Sequence, residues 1–259
     1  MQTVLFTSTI FGPIHSRRLG VSLGVNLMPR DGKVCTFDCL YCEAGFNAQG
    51  PGKAGIPARA EVKKLLEAKL ADMKQKDEPL DVITFSGNGE PTLHPDFKGV
   101  IDDTIELRDR YFPNVKISVL SNSTRINQEP VVEALKRVDN NILKLDSAID
   151  STVRLIDRPT YPTYSVDSIV DSMKQFGKDL IIQTMFLRGS HVGTPIDNTT
   201  DHEVDALIEV YKKLKPREVM IYSIDRKTPE ENLVKVEKDE LLKIAEKISN
   251  QAGVKVQVA

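Results

Sequence analysis

Short apolar runs rich in β-branched residues alternate with amphipathic segments along most of this chain, and this alternation is its strongest constraint on fold. The runs with strand composition are 23–27, 82–85, 115–120, 142–145, 180–186, 219–224 and 254–258. Stripes with helical spacing lie at 62–73, 166–176, 204–211 and 241–248. Such an order implies parallel strands joined by right-handed crossovers. We therefore predict an α/β fold, a partial (β/α)6 barrel with its active face at the carboxyl ends of the strands.

One connection does not follow the alternation. Residues 28–58 contain no convincing helix or strand. The length of this segment is well beyond the ~12–15 residues usual for a structureless connection. Ordered loops of this length are usually functional. This loop also contains all three cysteines of the chain, Cys35, Cys39 and Cys42.

The spacing of the cysteines indicates a metal site. An odd, tightly clustered set is a poor basis for disulfides. Soft thiolates suit iron–sulfur clusters, and three of them hold three iron corners of a cubane while the fourth iron stays open. Two alternatives remain: a zinc site completed by His15 or His94, and three unconnected buried thiols.

The pattern Cys35-x3-Cys39-x2-Cys42, with Tyr41 before the last cysteine, resembles the signature of the radical S-adenosylmethionine (radical SAM) superfamily. The resemblance implies a TIM-like partial barrel that binds a 4Fe-4S cluster and S-adenosyl-L-methionine. It implies reductive cleavage of that cofactor to a 5′-deoxyadenosyl radical, which abstracts hydrogen from a substrate. An aromatic residue at the position of Tyr41 would pack near the adenine. An external electron donor of the flavodoxin or ferredoxin type is implied as well.

A second motif follows the strand at 82–85. Ser86, Gly87, Asn88, Gly89 and Glu90 resemble the glycine–glutamate motif of the same superfamily. Glycines let a backbone approach a ligand closely, and a carboxylate can accept from an ammonium group. Alone, such a segment is an ordinary turn.

Polar residues at three later strand ends complete the candidate cofactor site. Asn122 lies after the third strand, Asp146 and Ser147 end the fourth, and Gln183 lies within the fifth. The resemblance places these positions near the ribose, the methionine and the rest of the bound cofactor. Each also has a structural interpretation as a turn cap or a satisfied core polar group. No catalytic residue is assigned.

Several charged residues near strand ends are interpreted differently. The basic element from His15 to Arg18 is predicted to be a solvated turn. Surface ion pairs are likewise favoured for Asp157-Arg158 and Asp225-Arg226, although an arginine there could clamp a carboxylate or phosphate. Lys144 should share the face of Asp146, where it either holds substrate or is solvated.

The resemblance extends over about residues 11–226 and is greatest to a subgroup of iron–sulfur oxidoreductases related to wyosine-forming tRNA-modifying enzymes. Those enzymes carry extra cysteines for a second cluster, and this chain has none. We expect a single domain over 1–259, with an N-terminal extension (1–22), a core barrel (23–226) and a C-terminal helix and strand (227–259).

The expected function is radical chemistry on a small-molecule or peptide substrate. The net charge of −2 gives no excess of Lys and Arg for coating nucleic acid, so modification of a tRNA base is the alternative within this enzyme class. A non-catalytic zinc or iron–sulfur scaffold is the alternative outside it. The sequence predicts a cytoplasmic protein without a membrane span or secretory signal.

Overall fold

An eight-stranded sheet forms the centre of the protein, for which a computed structural model describes residues 4–16 and 18–259. Its strand order is β1-β2-β3-β4-β5-β6-β9-β11. The strands of the chain are β1 (Ile10–Ser16), β2 (Gly20–Val25), β3 (Val82–Phe85), β4 (Lys116–Ser121), β5 (Asn140–Lys144), β6 (Leu180–Met185), β7 (Leu187–His191), β8 (Thr194–Asp197), β9 (Glu218–Tyr222), β10 (Leu233–Lys235) and β11 (Val256–Val258). All neighbours in the sheet are parallel except β1 and β2.

The helices lie between the strands as the alternation predicts. They are α1 (Arg59–Gln75), α2 (Phe97–Tyr111), α3 (Glu129–Leu135), α4 (Asp150–Ile156), α5 (Val166–Met173), α6 (Asp201–Leu214) and α7 (Lys238–Ala252). The sheet curls into a partial barrel, which confirms the predicted fold class. Within residues 4–16 and 18–259, no helix is both long and apolar enough to span a membrane.

Local chemistry explains the individual helices. In α1, Val62, Leu66, Leu70 and Met73 recur at helical spacing and are all buried. The predicted cap of α6 is present, because Thr200 Oγ1 accepts from the amide of Glu203. No stripe was predicted for α2, α3 or α4. The start of α2 is capped by Asp96, which accepts from the amide of Gly99.

Two sets of strands were also missed. β1 is an antiparallel edge strand whose sequence contains Gly12 and Pro13 and has no clear apolar alternation. β7, β8 and β10 form a separate three-stranded antiparallel sheet. They are short and partly exposed, so their sequences carry little periodic signal.

The turn between β1 and β2 corrects one prediction. Arg18 is partly buried, and its guanidinium carbon lies 4.5 Å from the centre of the Tyr222 ring, so the solvated turn is wrong for this residue. His15 is exposed as predicted, and Arg17 lies outside the described residues. The side-chain amide of Gln257 in β11 donates to the Arg18 carbonyl over 3.4 Å. The two edges of the curled sheet therefore meet at this turn.

Candidate active site at the carboxyl ends of the strands

The cysteine loop, residues 28–58, lies along the segment that follows α4. The Leu40 amide donates to the Ile156 carbonyl over 2.9 Å, and the Asp38 amide donates to the Asp157 carbonyl over 3.0 Å. Apart from a short 3-10 turn at Asn47–Gln49, residues 28–58 form no helix or named strand, as predicted. The loop is nevertheless ordered by backbone hydrogen bonds to a distant part of the chain.

The glycine motif after β3 forms the other side of this loop. The Val34 amide donates to the Asn88 carbonyl over 3.1 Å, and the Glu90 amide donates to the Val34 carbonyl over 3.0 Å. Gly89 has a φ of +142°, and a Cβ atom there would overlap the Val34 carbonyl. In this structure, the lack of a side chain at Gly89 therefore allows the backbone of the cysteine loop to approach closely.

Glu90 is buried and connects β3 to β4. Its Oε1 accepts from Ser121 Oγ over 2.8 Å and from Thr92 Oγ1 over 2.6 Å, while Oε2 accepts from the Asn122 amide over 2.6 Å. Desolvation raises the pKa of Glu90, and these hydrogen bonds oppose the rise. A carboxylate offers about four lone-pair sites, so Oε2 retains capacity for a further donor.

Two asparagines from the predicted set have different surroundings. Asn122 Nδ2 donates to Thr36 Oγ1 over 2.9 Å and lies 3.5 Å from Cys35 Sγ, so it contacts the cysteine loop directly. Asn88 is fully buried, and its Nδ2 donates to the carbonyls of Phe6 and Pro29. Its side chain therefore holds the N-terminal segment against the loop.

The three thiols are free, and two of them lie in strongly desolvating surroundings. Burial raises the pKa of Cys35 to about 12, a rise that Lys33 and the Phe37 amide oppose. Burial also raises the pKa of Cys39 well above its ordinary value, with Lys144 opposing. Cationic side chains therefore lie beside thiols that would have to ionise to bind iron.

Lys33 is a buried cation that the sequence analysis did not single out. Its Nζ donates to the Gly45 carbonyl over 2.7 Å and lies 3.7 Å from Asp38 Oδ1. Desolvation lowers the pKa of this ammonium, but the cysteines and Asp38 raise it to a larger extent in sum. The only sequence signal for it is a position two residues before the first cysteine.

Lys144, Asp146 and Asp157 form a buried charged cluster beside the cysteine loop. The Lys144 ammonium and the Tyr41 hydroxyl both donate to Asp146 Oδ2. Lys144 Nζ also lies 2.7 Å from Asp157 Oδ1, outside hydrogen-bond geometry, and 4.4 Å from the centre of the Tyr41 ring. Asp157 is only 1% exposed, so the predicted surface ion pair is wrong for this residue.

The remaining predicted cofactor residues occupy the same region with different partners. Ser147 is buried, and its Oγ donates to Glu203 Oε2 of α6 over 2.6 Å. Gln183 is buried in β6 opposite Lys144 of β5. The Ser86 amide donates to the Val25 carbonyl at the end of β2. Glu203, which binds both Ser147 and Thr152, carried no sequence signal beyond its place in a capping box.

The other charged candidates are peripheral. Arg226 pairs with Glu43 over 2.6 Å at the surface, and Lys235 lies 3.3 Å from Asp225, as predicted. His94 is buried, with Nε2 2.8 Å from the Pro57 carbonyl and Nδ1 accepting from the Asp96 amide. Over residues 4–16 and 18–259, no three His, Cys, Asp or Glu side chains are grouped so as to hold a single metal ion.

Comparison with known proteins identifies the family of this chain. The sequence model of the Radical SAM superfamily matches residues 31–211, which include the cysteine loop and strands β3 to β6. The chain belongs to the Radical SAM superfamily. It is a radical SAM enzyme, and members of this superfamily bind a 4Fe-4S cluster and S-adenosylmethionine.

The names of curated relatives of this radical SAM chain give either no reaction or a reaction other than radical SAM chemistry. A UPF0026 protein of Methanocaldococcus jannaschii is 30% identical over 237 residues, covering 90% of this chain and 68% of that protein. A UPF0026 protein of Helicobacter pylori is 29% identical over 246 residues. A protein described as GTPase Obg of Brachyspira hyodysenteriae is 26% identical over 258 residues, and the match spans 35% of its length.

Solved structures share the radical SAM fold at low sequence identity. TYW1 with a lysine-pyruvate adduct bound has a TM-score of 0.61 at 16% identity, covering 92% of this chain and 76% of that one. A radical SAM methyltransferase from Sphaerobacter thermophilus has a TM-score of 0.64 at 14% identity, covering 92% and 65%. Streptococcus suis SuiB bound to S-adenosylmethionine has the same TM-score at 16% identity, covering 91% and 49%.

The donor atoms of this chain fit the implied cofactors. Three thiols in one loop supply soft ligands, and no fourth cysteine exists to close a coordination position. The partly buried carboxylate, amide and hydroxyl groups beside them supply hydrogen-bonding groups for a polar cofactor.

Proposed function

We propose that Cys35, Cys39 and Cys42 hold a 4Fe-4S cluster and that this enzyme abstracts hydrogen from a small-molecule or peptide substrate. The observation that carries the proposal is the attachment of the cysteine loop to three strand ends. Val34 bonds to the turn after β3, Asn122 after β4 contacts Cys35, and Tyr41 bonds to Asp146 after β5.

A reduced cluster held by Cys35, Cys39 and Cys42 would supply the one electron needed to cleave S-adenosylmethionine to methionine and a 5′-deoxyadenosyl radical, and that radical would remove a hydrogen atom from the substrate. An external one-electron donor of the flavodoxin or ferredoxin type supplies the electron. The chain itself orients the reactants and excludes water, which protects reactive species from side reactions.

Several neighbouring side chains position the cysteine loop and the cofactor. Tyr41 and Asn122 hold the loop over the strand ends, and Glu90 links β3 to β4 beneath it. Oε2 of Glu90, which already accepts from the Asn122 amide, would accept from the amino group of the bound cofactor. Residues 86–90, Asp146, Ser147 and Gln183 line or support the cofactor site, and the Lys144 ammonium pairs with the Asp146 carboxylate.

The whole chain is proposed to act as one domain. Within the predicted N-terminal extension (1–22), β1 is an edge strand of the main sheet and β2 begins at Gly20. Within the predicted C-terminal part (227–259), β11 pairs with β9 in the same sheet. Both parts therefore complete the barrel wall.

The deciding experiment is anaerobic reconstitution with iron and sulfide, followed by dithionite reduction and measurement of 5′-deoxyadenosine formed from S-adenosylmethionine. We expect the wild type to form deoxyadenosine and each of the variants Cys35→Ala, Cys39→Ala and Cys42→Ala to lose it. The matched control is Glu43→Gln, which changes an exposed residue next to Cys42 and removes no thiol.

Two results would refute the proposal. A zinc protein without iron uptake, or a full cluster that neither binds nor cleaves S-adenosylmethionine, would favour the scaffold alternative. RNA binding whose affinity falls steeply with salt would instead favour a tRNA substrate, because each neutralised phosphate adds to the salt dependence.

A further inference from the structure

One nitrogen of the Arg18 guanidinium has no hydrogen-bond acceptor among the residues that the structure describes. The side chain rests against the Tyr222 ring, and its Nη1 is buried with no hydrogen-bond acceptor among residues 4–16 and 18–259. Leaving a buried charged donor unpaired costs free energy. A bound ligand with an acceptor oxygen would remove that cost.

The position of Arg18 is fixed by its own turn. Ser16 Oγ accepts from the amides of Arg18 over 3.3 Å and Leu19 over 3.2 Å, and the Arg18 carbonyl accepts from Gln257. These bonds hold the Arg18 backbone at the junction where the first and last strands of the curled sheet meet.

The ring under Arg18 belongs to the face of the sheet that carries the site. Met220 and Tyr222 are two residues apart and therefore lie on the same face of β9. Met220 packs with Ile181 and Ile142. Lys144 follows Ile142 on that same face of β5. Burial raises the pKa of Tyr222 to about 12; Asp146 adds to the rise, and Arg18 and Lys144 oppose it, so these groups are electrostatic neighbours.

Arg18 is one of the residues that line a large cavity at the amino ends of the strands. The cavity has a volume of about 990 Å³, and its lining includes Arg18, Ile181 and Met220. Cavities of this size accommodate small-molecule ligands.

The carboxylates that line the same cavity are bonded to other groups. Asp81 accepts from the Val21 amide over 2.7 Å, Asp139 accepts from the Ile117 amide over 2.8 Å, and Glu218 lies 3.0 Å from Lys255 Nζ. The structure therefore places the Arg18 cation beside a cavity whose nearby carboxylates are bonded to other groups.

We propose that Arg18, seated on Tyr222, binds an anionic group of the substrate, a carboxylate or a phosphate, inside the partial barrel. The inference rests on the proposed function and adds the chemical class of its substrate. A guanidinium suits planar, bidentate recognition of either anion, and stacking on the aromatic ring fixes its plane. Arg18 is a substrate-binding residue here and takes no part in proton transfer.

The test titrates the reconstituted protein by calorimetry with inorganic phosphate and, separately, with acetate. We expect saturable binding of at least one anion, and the arm that binds distinguishes a phosphorylated substrate from a carboxylic acid. Arg18→Gln should weaken that binding by about tenfold or more. Arg18→Lys should weaken it less, because it keeps the charge and loses only the planar fork.

The matched control is Arg217→Gln, which removes a cation lining the same cavity whose Nη2 already donates to Asn140 Oδ1 over 2.7 Å. It should leave anion affinity unchanged. The inference is overturned if neither anion binds the wild type, if all arginine variants bind alike, or if the control loses as much affinity as Arg18→Gln.

Deoxyadenosine formation, measured in the same samples without substrate, separates this inference from the proposed function. The wild type and the Arg217→Gln control should both form it, because neither alters a residue of the proposed cofactor or substrate site. If deoxyadenosine forms and the anions do not bind, only the inference fails. If anion binding depends on Arg18 and no protein forms deoxyadenosine, the radical chemistry fails and the anion site stands.

Discussion

The two ends of the central sheet handle charge in opposite ways. At the carboxyl ends, Glu90 and Asp157 are buried, and Lys144, with 14% of its side chain exposed, pairs with Asp157. At the amino ends, pairs such as Lys255–Glu218 have a largely exposed member. Buried charges carry a desolvation cost that exposed pairs avoid. In a partial barrel, this contrast agrees with the proposed position of the radical chemistry at the carboxyl ends.

The largest expected effect comes from breaking the buried cluster. Lys144→Met leaves the Asp146 and Asp157 carboxylates without their cation, so we expect the free energy of unfolding to fall by about 3–5 kcal/mol. The amino-end counterpart, Lys255→Met, should change it by at most about 0.5 kcal/mol. Urea unfolding of both reduced apoproteins measures the difference, and equal losses would contradict the contrast.

Substitution of Gly89 tests how tightly the glycine motif and the cysteine loop are joined. Gly89→Ala should cost about 2–4 kcal/mol, because it strains the backbone and forces Val34 away. Gly193→Ala, also at a positive φ but with open space around it, should cost only about 1–2 kcal/mol. Iron bound per chain after reconstitution should fall for Gly89→Ala alone; retention of full iron would show that the loop tolerates the displacement.

Removing the buried cation of the loop should have a moderate effect. Lys33→Met removes the donor to the Gly45 carbonyl, so we expect a loss of about 1–3 kcal/mol. It also removes positive charge beside the thiols, which should lower the midpoint potential of the reconstituted cluster in a redox titration followed by electron paramagnetic resonance. Lys53→Met, exposed in the same loop, is the control; identical potentials in both variants would exclude an electrostatic role for Lys33.

A further expected effect is a slope in pH. Burial raises the pKa of Asp157 from 3.8 to about 7, with Asp146 adding to the rise and Lys144 opposing it. The folded protein then retains a proton that the unfolded chain releases. The free energy of unfolding should therefore decrease as pH rises from about 3.8 to about 7 and level off above that. Asp157→Asn should flatten this part of the profile, and an unchanged slope would assign it to another group.

Much of the fold could be predicted because its signals are local. Apolar runs identified the parallel strands β2 to β6, β9 and β11, and helical spacing identified α1, α5, α6 and α7. The missed helix α2 has Val100, Ile101 and Leu107 at helical spacing after the Asp96 cap, so its signal was present in the sequence. The edge strand β1 had no such pattern.

The site was predictable in position but not in its contacts. Cysteine spacing and strand ends indicate which residues gather at one edge, and the structure brings Tyr41, Asn122 and Asp146 there. The burial of Lys33 and Asp157 and the partial burial of Arg18 could not be read from sequence, because charged residues are mostly exposed and their partners lie far along the chain.

The attachment of the cysteine loop also has a consequence for biosynthesis. The loop is shaped by hydrogen bonds to residues 156–160, more than a hundred positions downstream of its cysteines. A ribosome must therefore translate well past those positions before the three thiols can reach their final arrangement. Delivery of iron and sulfide to a nascent chain would meet an unshaped loop, so the order of events favours maturation after translation of the barrel.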